Sequence, residues 1–296
     1  MLNISFPETP ISVFSQEVNT SEVQSINNSN ITTLSQSLPE DFKKILKNQI
    51  SKIFSSMLSK VDERYASQEL GVQIDFPNGW QGTLIKPTKT LIVSPPEINV
   101  TDYLVNTTEK EFYSFINSIP LTENTTIQDI IQTALNSVFN EVFESLEQIT
   151  PAISVSAISK DSIKYFQNLS GIEPPTKSVS SIWYDYTLTV INEMLGNLTG
   201  ANTPAGSNEI KSVNYSNIDG IPTEIAVSES ILPQSANPFK TLAYLFLTQD
   251  KIINVEYSDN SDNFNKYLPE FEKSIKTIKV TNPIPINEDN IKRFVS

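Results

Sequence analysis

Histidine and cysteine are both missing from these 296 residues. Without them the chain cannot build a Ser-His-Asp triad, a thiolate nucleophile, a disulfide or a thiolate zinc site. Acid–base chemistry near neutral pH would fall to carboxylates, Lys or Tyr with shifted pKa values. Glycine is scarce at 8 residues, and no phosphate-cradling Gly-rich run exists. Arginine is scarcer still: Arg64 and Arg293 are the only ones among 21 basic residues. The bidentate readers of phosphate and guanine are therefore nearly absent. A net charge of −13 also repels phosphate backbones and anionic lipid, so no nucleic-acid partner is expected. No apolar run approaches the ~18 residues needed to span a bilayer. Met1–Gln16 shows neither a basic n-region nor an apolar h-region. The chain is therefore either cytoplasmic or numbered from a point after a leader.

What is present supports a core. Hydrophobic residues make up 38% and aromatics 9%, enough for one large domain or two ordinary ones. Asn-x-Ser/Thr recurs at Asn3, Asn19, Asn27, Asn30, Asn99, Asn106, Asn124, Asn168, Asn197 and Asn214. From the Asn, Ser and Thr content, chance predicts about 6 such sites against the ten found. The excess points to an exported protein.

Residues 1–36 are rich in Ser, Asn and Thr with little periodicity and read as a loosely ordered polar arm. Ser37-Leu38-Pro39-Glu40 has the form of a capping box, and apolar residues from Phe42 to Tyr65 fall on one helical stripe. The spacing predicts a long helix over 37–66, with Lys43, Lys47 and Lys60 on its solvated face. Val72, Ile74 and Phe76 alternate as a half-buried strand, ended by Pro77 and Gly79. A second strand fits Leu84–Val93. Residues 100–150 predict a helical insertion. One helix is capped at Thr108–Glu111 and carries Phe112, and a second is capped at Thr126–Asp129.

Ile153, Val155 and Ala157 resume a period of two. Helical spacing returns from Val179 through Ile182, Trp183 and Tyr186. Two hairpins follow, one around Asp219-Gly220 and one at Gln249-Asp250. Residues 262–275 predict a helix, and Ile278 and Val280 a short closing strand. Residues 281–296 read as a C-terminal tail.

Gly71-Val72-Gln73-Ile74-Asp75-Phe76-Pro77-Asn78-Gly79-Trp80 resembles the first strand of the PsbP-like (Mog1/PsbP) family, an apolar strand followed by Pro, a small residue and Trp. Ile218-Asp219-Gly220-Ile221-Pro222 is similar to that family's central turn. Tyr267-Leu268-Pro269-Glu270-Phe271-Glu272-Lys273-Ser274-Ile275 resembles its C-terminal helix. The resemblance covers roughly 65–98 and 150–280. It implies an α+β fold, an α/β/α sandwich with a central antiparallel sheet, occupying 37–280. The Asn/Ile/Lys bias and the sequons resemble an exported archaeal member. Members of the family resemble binding or assembly modules more than enzymes.

One loop has oxygen ligands at EF-hand-like spacing: Asp259, Ser261, Asp262 and Asn263, with Glu270 beyond. It is a candidate calcium site, although Phe264 stands where the EF-hand turn needs Gly. The other reading is a strand-to-helix loop that caps the helix. Trp80 and Trp183 fit core packing better than ligand anchoring. No constellation of catalytic residues stands out, and no other cofactor is expected. The function expected is a non-enzymatic module at the cell surface or outside the cell, binding a partner protein or small ligand. The alternatives are a structural component of a surface layer and, third, a carboxylate-based hydrolase.

Overall fold

Turn chemistry sets the middle of the sheet. Asp219 and Gly220 both take positive φ, 50° and 86°, as a two-residue type I′ hairpin requires. From this turn β7 (Ser207–Ile218) and β8 (Ile221–Ile231) run antiparallel, with a bulge between Ile210 and Ser212. At the second hairpin the Thr248 hydroxyl accepts the Lys251 N–H at 3.0 Å, closing the turn between β9 (Phe239–Leu247) and β10 (Lys251–Asn260). β10 also pairs antiparallel with β6 (Ala152–Ser159). The structure is a computed structural model and describes residues 40–86, 88–118, 149–170, 177–187, 207–231 and 238–296.

The remaining strands are β1 (Leu58–Val61), β2 (Arg64–Ser67), β3 (Val72–Asp75), β4 (Gln81–Ile85), β5 (Thr90–Ser94) and β11 (Lys279–Val280). Among the described residues eight strands form one sheet in the order β1-β4-β5-β6-β10-β9-β8-β7, and β11-β3-β2 form a second. Among the described residues the helices are α1 (Glu40–Met57), α2 (Val100–Ser118), α3 (Lys160–Ser170), α4 (residues 179–187), α5 (Phe264–Ile275) and α6 (Glu288–Val295).

The chain divides into two compact units. One comprises Met1–Ser59, Ile85–Thr88 and Thr101–Gln148. The other comprises Lys60–Leu84, Lys89–Val100 and Ile149–Ser296. Within the first unit, Lys47 pairs with Glu109 at 2.9 Å and sits 4.9 Å from the centre of the Tyr113 ring. Ser51 donates to the same Glu109 carboxylate at 3.1 Å.

The second unit holds most of the large sheet, and side chains alternate between its two faces. On one face Phe246, Ile253, Val255 and Tyr257 pack against Phe264, Phe271 and Ile275 of α5 and against Ile74, Phe76 and Trp80. On the opposite face Leu245, Leu247 and Ile252 meet Ile182 and Trp183 of α4, and Ile291 and Phe294 of α6. Helices thus cover both faces of an antiparallel sheet, and the fold class is α+β, as expected.

Several element boundaries differ from the sequence reading. The first helix stops at Met57, not residue 66, because Leu58–Val61 is taken into the sheet as β1, beside β4. There Gly82 lets β4 approach closely: a Cβ at that position would lie 3.0 Å from the Val61 carbonyl oxygen. Lys43 is buried, not solvated. The strand expected over Leu84–Val93 is two strands, split by a turn in which Lys89 has φ 55°. Thr108 caps nothing. It lies inside α2, where its hydroxyl donates to the Leu104 carbonyl at 2.7 Å. The tail at 281–296 is not an arm. Asn287 caps α6 by accepting the Asn290 N–H at 2.9 Å, and the helix buries Ile291 and Phe294. The polar arm, Ser37–Pro39 and the helix expected from Thr126 lie outside the described residues.

Candidate functional site

Chain geometry around Trp80 produces a groove. Pro77, Asn78, Gly79 and Trp80 form a tight turn, with the Trp80 N–H donating to the Pro77 carbonyl at 3.0 Å. Gly79 holds φ at 81°, a value that L side chains resist. The turn swings Trp80 back over the end of β3, where it is buried. Facing it, α5 presents Tyr267, Glu270, Lys273 and Ser274 at spacings of three and four, one helical face. Trp80 and Tyr267 meet edge to face, with ring centres 5.6 Å apart.

The result is a groove of about 560 Å³, walled by Phe76, Pro77, Trp80 and Tyr267 and edged by Asp75, Asn78, Glu270, Lys273 and Thr277. Its volume lies in the range of small-ligand sites. Thr277 ties its two sides together. Its hydroxyl accepts the Asp75 N–H at 2.9 Å and donates to the Ser274 carbonyl at 2.8 Å.

The polar groups here differ in how they are used. Asp75 is fully committed: Arg64 donates from Nε to Oδ1 at 2.5 Å and from its terminal nitrogen to Oδ2 at 3.0 Å. The hydrogen-bonding guanidinium holds the Asp75 carboxyl below its usual range. Tyr267 donates to Glu97 at 2.7 Å, and Lys266 stands 4.5 Å from its ring centre. That bond from Tyr267 is the main reason Glu97 stays ionised to lower pH than usual. Glu270 differs from both. Its Oε2 is buried and has no hydrogen-bond partner. Buried carboxylate oxygens almost always find a donor.

Two of the calcium candidates, Asp259 and Ser261, have hydrogen-bond partners within the chain. Asp259 is buried, with its Oδ1 accepting the Asn260 N–H at 2.7 Å and its Oδ2 lying 3.1 Å from the Tyr257 hydroxyl. Ser261 donates to the Pro238 carbonyl at 2.9 Å. Asp262 is exposed, and Asn263 precedes α5 without a side-chain capping bond. Glu270 lies in the middle of α5 and lines the groove. Among the described residues no three acidic side chains gather where they could hold a metal.

Sequence reasoning missed a polar patch under α4. Glu224 on β8 is fully buried and accepts the N–H groups of Val179 and Ser180 at 2.9 and 2.7 Å, so a strand carboxylate caps the helix. Two rows along the same face, Glu256 accepts from Ser154 at 3.1 Å and from the Asn254 amide at 2.7 Å. Burial pushes the Glu256 carboxyl above its usual range. Tyr184 shares a 3.1 Å hydrogen bond with Ser228, and burial raises its phenol. The polar members of β8 and β10 were visible as breaks in strand hydrophobicity. Which face they shared depends on the pairing register.

Of the sequons, Asn99, Asn106, Asn168 and Asn214 are exposed. Asn3, Asn19, Asn27, Asn30, Asn124 and Asn197 lie outside the described residues. No helix among the described residues is long and apolar enough to cross a membrane.

No family model and no curated protein matches the chain. Among solved structures, the solution structure of a cyanobacterial PsbP from Synechocystis sp. PCC 6803 is similar to it. The likeness covers 76% of this chain and 93% of that one, at 11% identity and a TM-score of 0.38.

Proposed function

We propose that this chain is a non-enzymatic binding or assembly module and that the Trp80–Tyr267 groove is its ligand seat. The observation that carries this is an aromatic-walled groove of about 560 Å³ rimmed by Asn78, Glu270, Lys273 and Thr277. Flat aromatic walls supply contact area, and polar side chains on the rim supply orientation. A carboxylate-based hydrolase would need both groove carboxylates at work. Both Asp75 oxygens are engaged by Arg64, which favours binding over hydrolysis.

We further propose that the module works outside the cell or at its surface, in keeping with the excess of sequons and the exposure of all four described ones.

The test is a thermal-shift titration of the full chain with four probes of similar size. They are acetyl-arginine methylamide, acetyl-citrulline methylamide, acetyl-glutamate methylamide and cellobiose. Asn78→Trp, an exposed rim position, fills the groove and serves as the blocked control. A saturable shift that this substitution abolishes supports the seat. No such shift up to about 10 mM of any probe defeats it.

A further inference from the structure

We propose that the outer edge of β7 pairs antiparallel with the same edge of a second copy, across a twofold axis at Tyr215. No residue of the Trp80–Tyr267 groove belongs to β7, so this inference stands apart from the ligand seat.

The edge is long and half of it is unguarded. Unpaired N–H and C=O groups on a sheet edge recruit other strands, so edges are normally kept short, charged or bulged. Among the described residues the other edges are short: β1 and β2 have four residues each and β11 has two. β7 has twelve, with no described strand beyond it. Its first half is guarded by Lys211, the extra residue in the bulge between Ile210 and Ser212. The second half, residues 212–218, carries neither charge nor Pro, and Ser212, Asn214, Tyr215, Ser216 and Asn217 are exposed. Tyr215, at 57%, is the most exposed large hydrophobic side chain among the described residues.

Hairpin geometry fixes which backbone groups face out. The pair flanking a two-residue turn exchanges hydrogen bonds, and here that pair is Ile218 and Ile221. Counting back, bonds toward β8 fall at Ser216, Asn214 and Ser212. The outward N–H and C=O groups belong to Asn217, Tyr215 and Val213. Pro222 agrees with this phase: it has no N–H and stands opposite Asn217, where none is needed toward β7.

A second copy is the occupant that fits. The antiparallel register that lays residues 212–218 along their own copy sets Tyr215 opposite Tyr215, Val213 opposite Asn217 and Asn214 opposite Ser216. Outward groups then meet outward groups throughout. One position further at each end, Lys211 comes beside the exposed Asp219 of the second copy, so opposite charges meet twice. Lys211 lies 2.7 and 3.6 Å from Glu209 and Glu229 of its own copy, and such exposed pairs exchange readily. Sliding two positions one way sets Asp219 against Glu209, like charges. Sliding the other way leaves Lys211 opposite Ile221 and shortens the match. Two copies at −13 each repel at long range, so the pairing belongs to physiological salt, which screens exposed charges beyond about 8 Å.

The chain has no Cys, so single introduced thiols report the register. Opposed hydrogen-bonded positions hold their Cα atoms about 5.5 Å apart, within disulfide reach. The full chain is oxidised with diamide at about 100 µM protein and about 150 mM salt. Tyr215→Cys should crosslink to itself. Val213→Cys should not crosslink alone but should do so when mixed with Asn217→Cys. Sedimentation velocity of the parent should show a reversible dimer with a Kd of roughly 1–100 µM, as suits a small interface. Tyr215→Lys opposes two ammonium groups at the axis and should weaken the dimer about tenfold or more, whereas Tyr215→Phe should keep it.

A parent that stays monomeric to about 100 µM overturns the inference. So does a dimer that Tyr215→Lys leaves intact, or crosslinking that is equal at all three single positions. A monomer whose Val213, Tyr215 and Asn217 amides gain hydrogen-exchange protection from an added Thr-Val repeat peptide assigns the edge to a foreign strand and likewise overturns it.

Discussion

Replacing Asp259 with Asn should flatten one component of the protein's pH-dependent stability, and the hydrogen-bond arithmetic says why. The Tyr257 hydroxyl lies 3.1 Å from Asp259 Oδ2 and 3.0 Å from the Phe264 carbonyl oxygen. A phenol has one proton and cannot serve two acceptors fully. If Asp259 is protonated the conflict disappears: the carboxyl donates to Tyr257, and Tyr257 donates to Phe264. Burial, the largest influence on Asp259, raises its pKa in keeping with this, against the Asn260 N–H, the Tyr257 hydroxyl and the Lys266 charge, which favour ionisation.

The sign follows from linkage. A carboxyl whose native pKa lies above its unfolded value of about 3.9 makes its full contribution below that value. The contribution is lost as pH rises through the raised native pKa, at no more than about 1.4 kcal/mol per pH unit. The total loss is bounded by one buried acceptor left short of a donor, about 1–3 kcal/mol. In Asp259→Asn the amide nitrogen can donate to Tyr257 while the amide oxygen still accepts from Asn260, so both bonds persist at every pH. Urea denaturation of both proteins from pH 4.5 to 8 should show the variant gaining on the parent as pH rises. Parallel curves, or a variant that loses ground with rising pH, would refute the protonated relay.

Four further outcomes are expected. Glu256→Gln keeps bonds to Ser154 and Asn254 but removes a charge that burial disfavours, so it should raise the midpoint of thermal unfolding at pH 8 more than at pH 5. Gly79→Ala meets no atom within 4 Å but must hold φ at 81°, so circular dichroism melts should report a loss of about 1–2 kcal/mol from backbone strain alone. Calcium at about 1 mM should leave the melting temperature unchanged, since the loop oxygens of Asp259 and Ser261 are already engaged; a rise of several degrees would restore the calcium site. Mass spectrometry of the native protein should find glycan at one or more of Asn99, Asn106, Asn168 and Asn214, and unmodified asparagine at all four would count against export.

Local chemistry announced the elements it alone controls. The Asp219-Gly220 turn, the alternation of Ile253, Val255 and Tyr257, and the stripe of Phe264, Phe271 and Ile275 are each settled within a dozen residues, and each was legible. Leu58, Val61 and Tyr65 fit a helical stripe equally well, and no Gly or Pro interrupts them. Leu58 and Val61 became strand positions because β1 lies beside β4, some twenty residues away, and Tyr65 because β2 pairs with β3. α6 was missed for a different reason. Its start signal was present, with Asn287 ahead of Glu288 and Asp289. Only two large apolar residues mark its face, and their spacing means nothing until Leu245, Leu247 and Ile252 present a surface for Ile291 and Phe294.

The groove was half legible for the same physical reason. Pro77-Asn78-Gly79-Trp80 could be read as a strand ending in an aromatic, and Trp80 is indeed a buried packing residue. Packing and binding are not alternatives here. Burying one part of the indole against Ile74 and Phe76 fixes the ring, and a fixed ring is what a groove wall requires. Sequence could set Glu270 on a helix but not in the groove, because its neighbours in space lie about two hundred residues away on β3 and the following turn. The bond from Asp75 N–H to Thr277, which spans 202 residues, is what brings these two ends of the sequence together. Thr277→Val would therefore loosen the groove while leaving Trp80, Tyr267 and Glu270 in place. A loss of binding without loss of the aromatic walls would show that the seat depends on how rigidly its two sides are held, and not only on which residues line it.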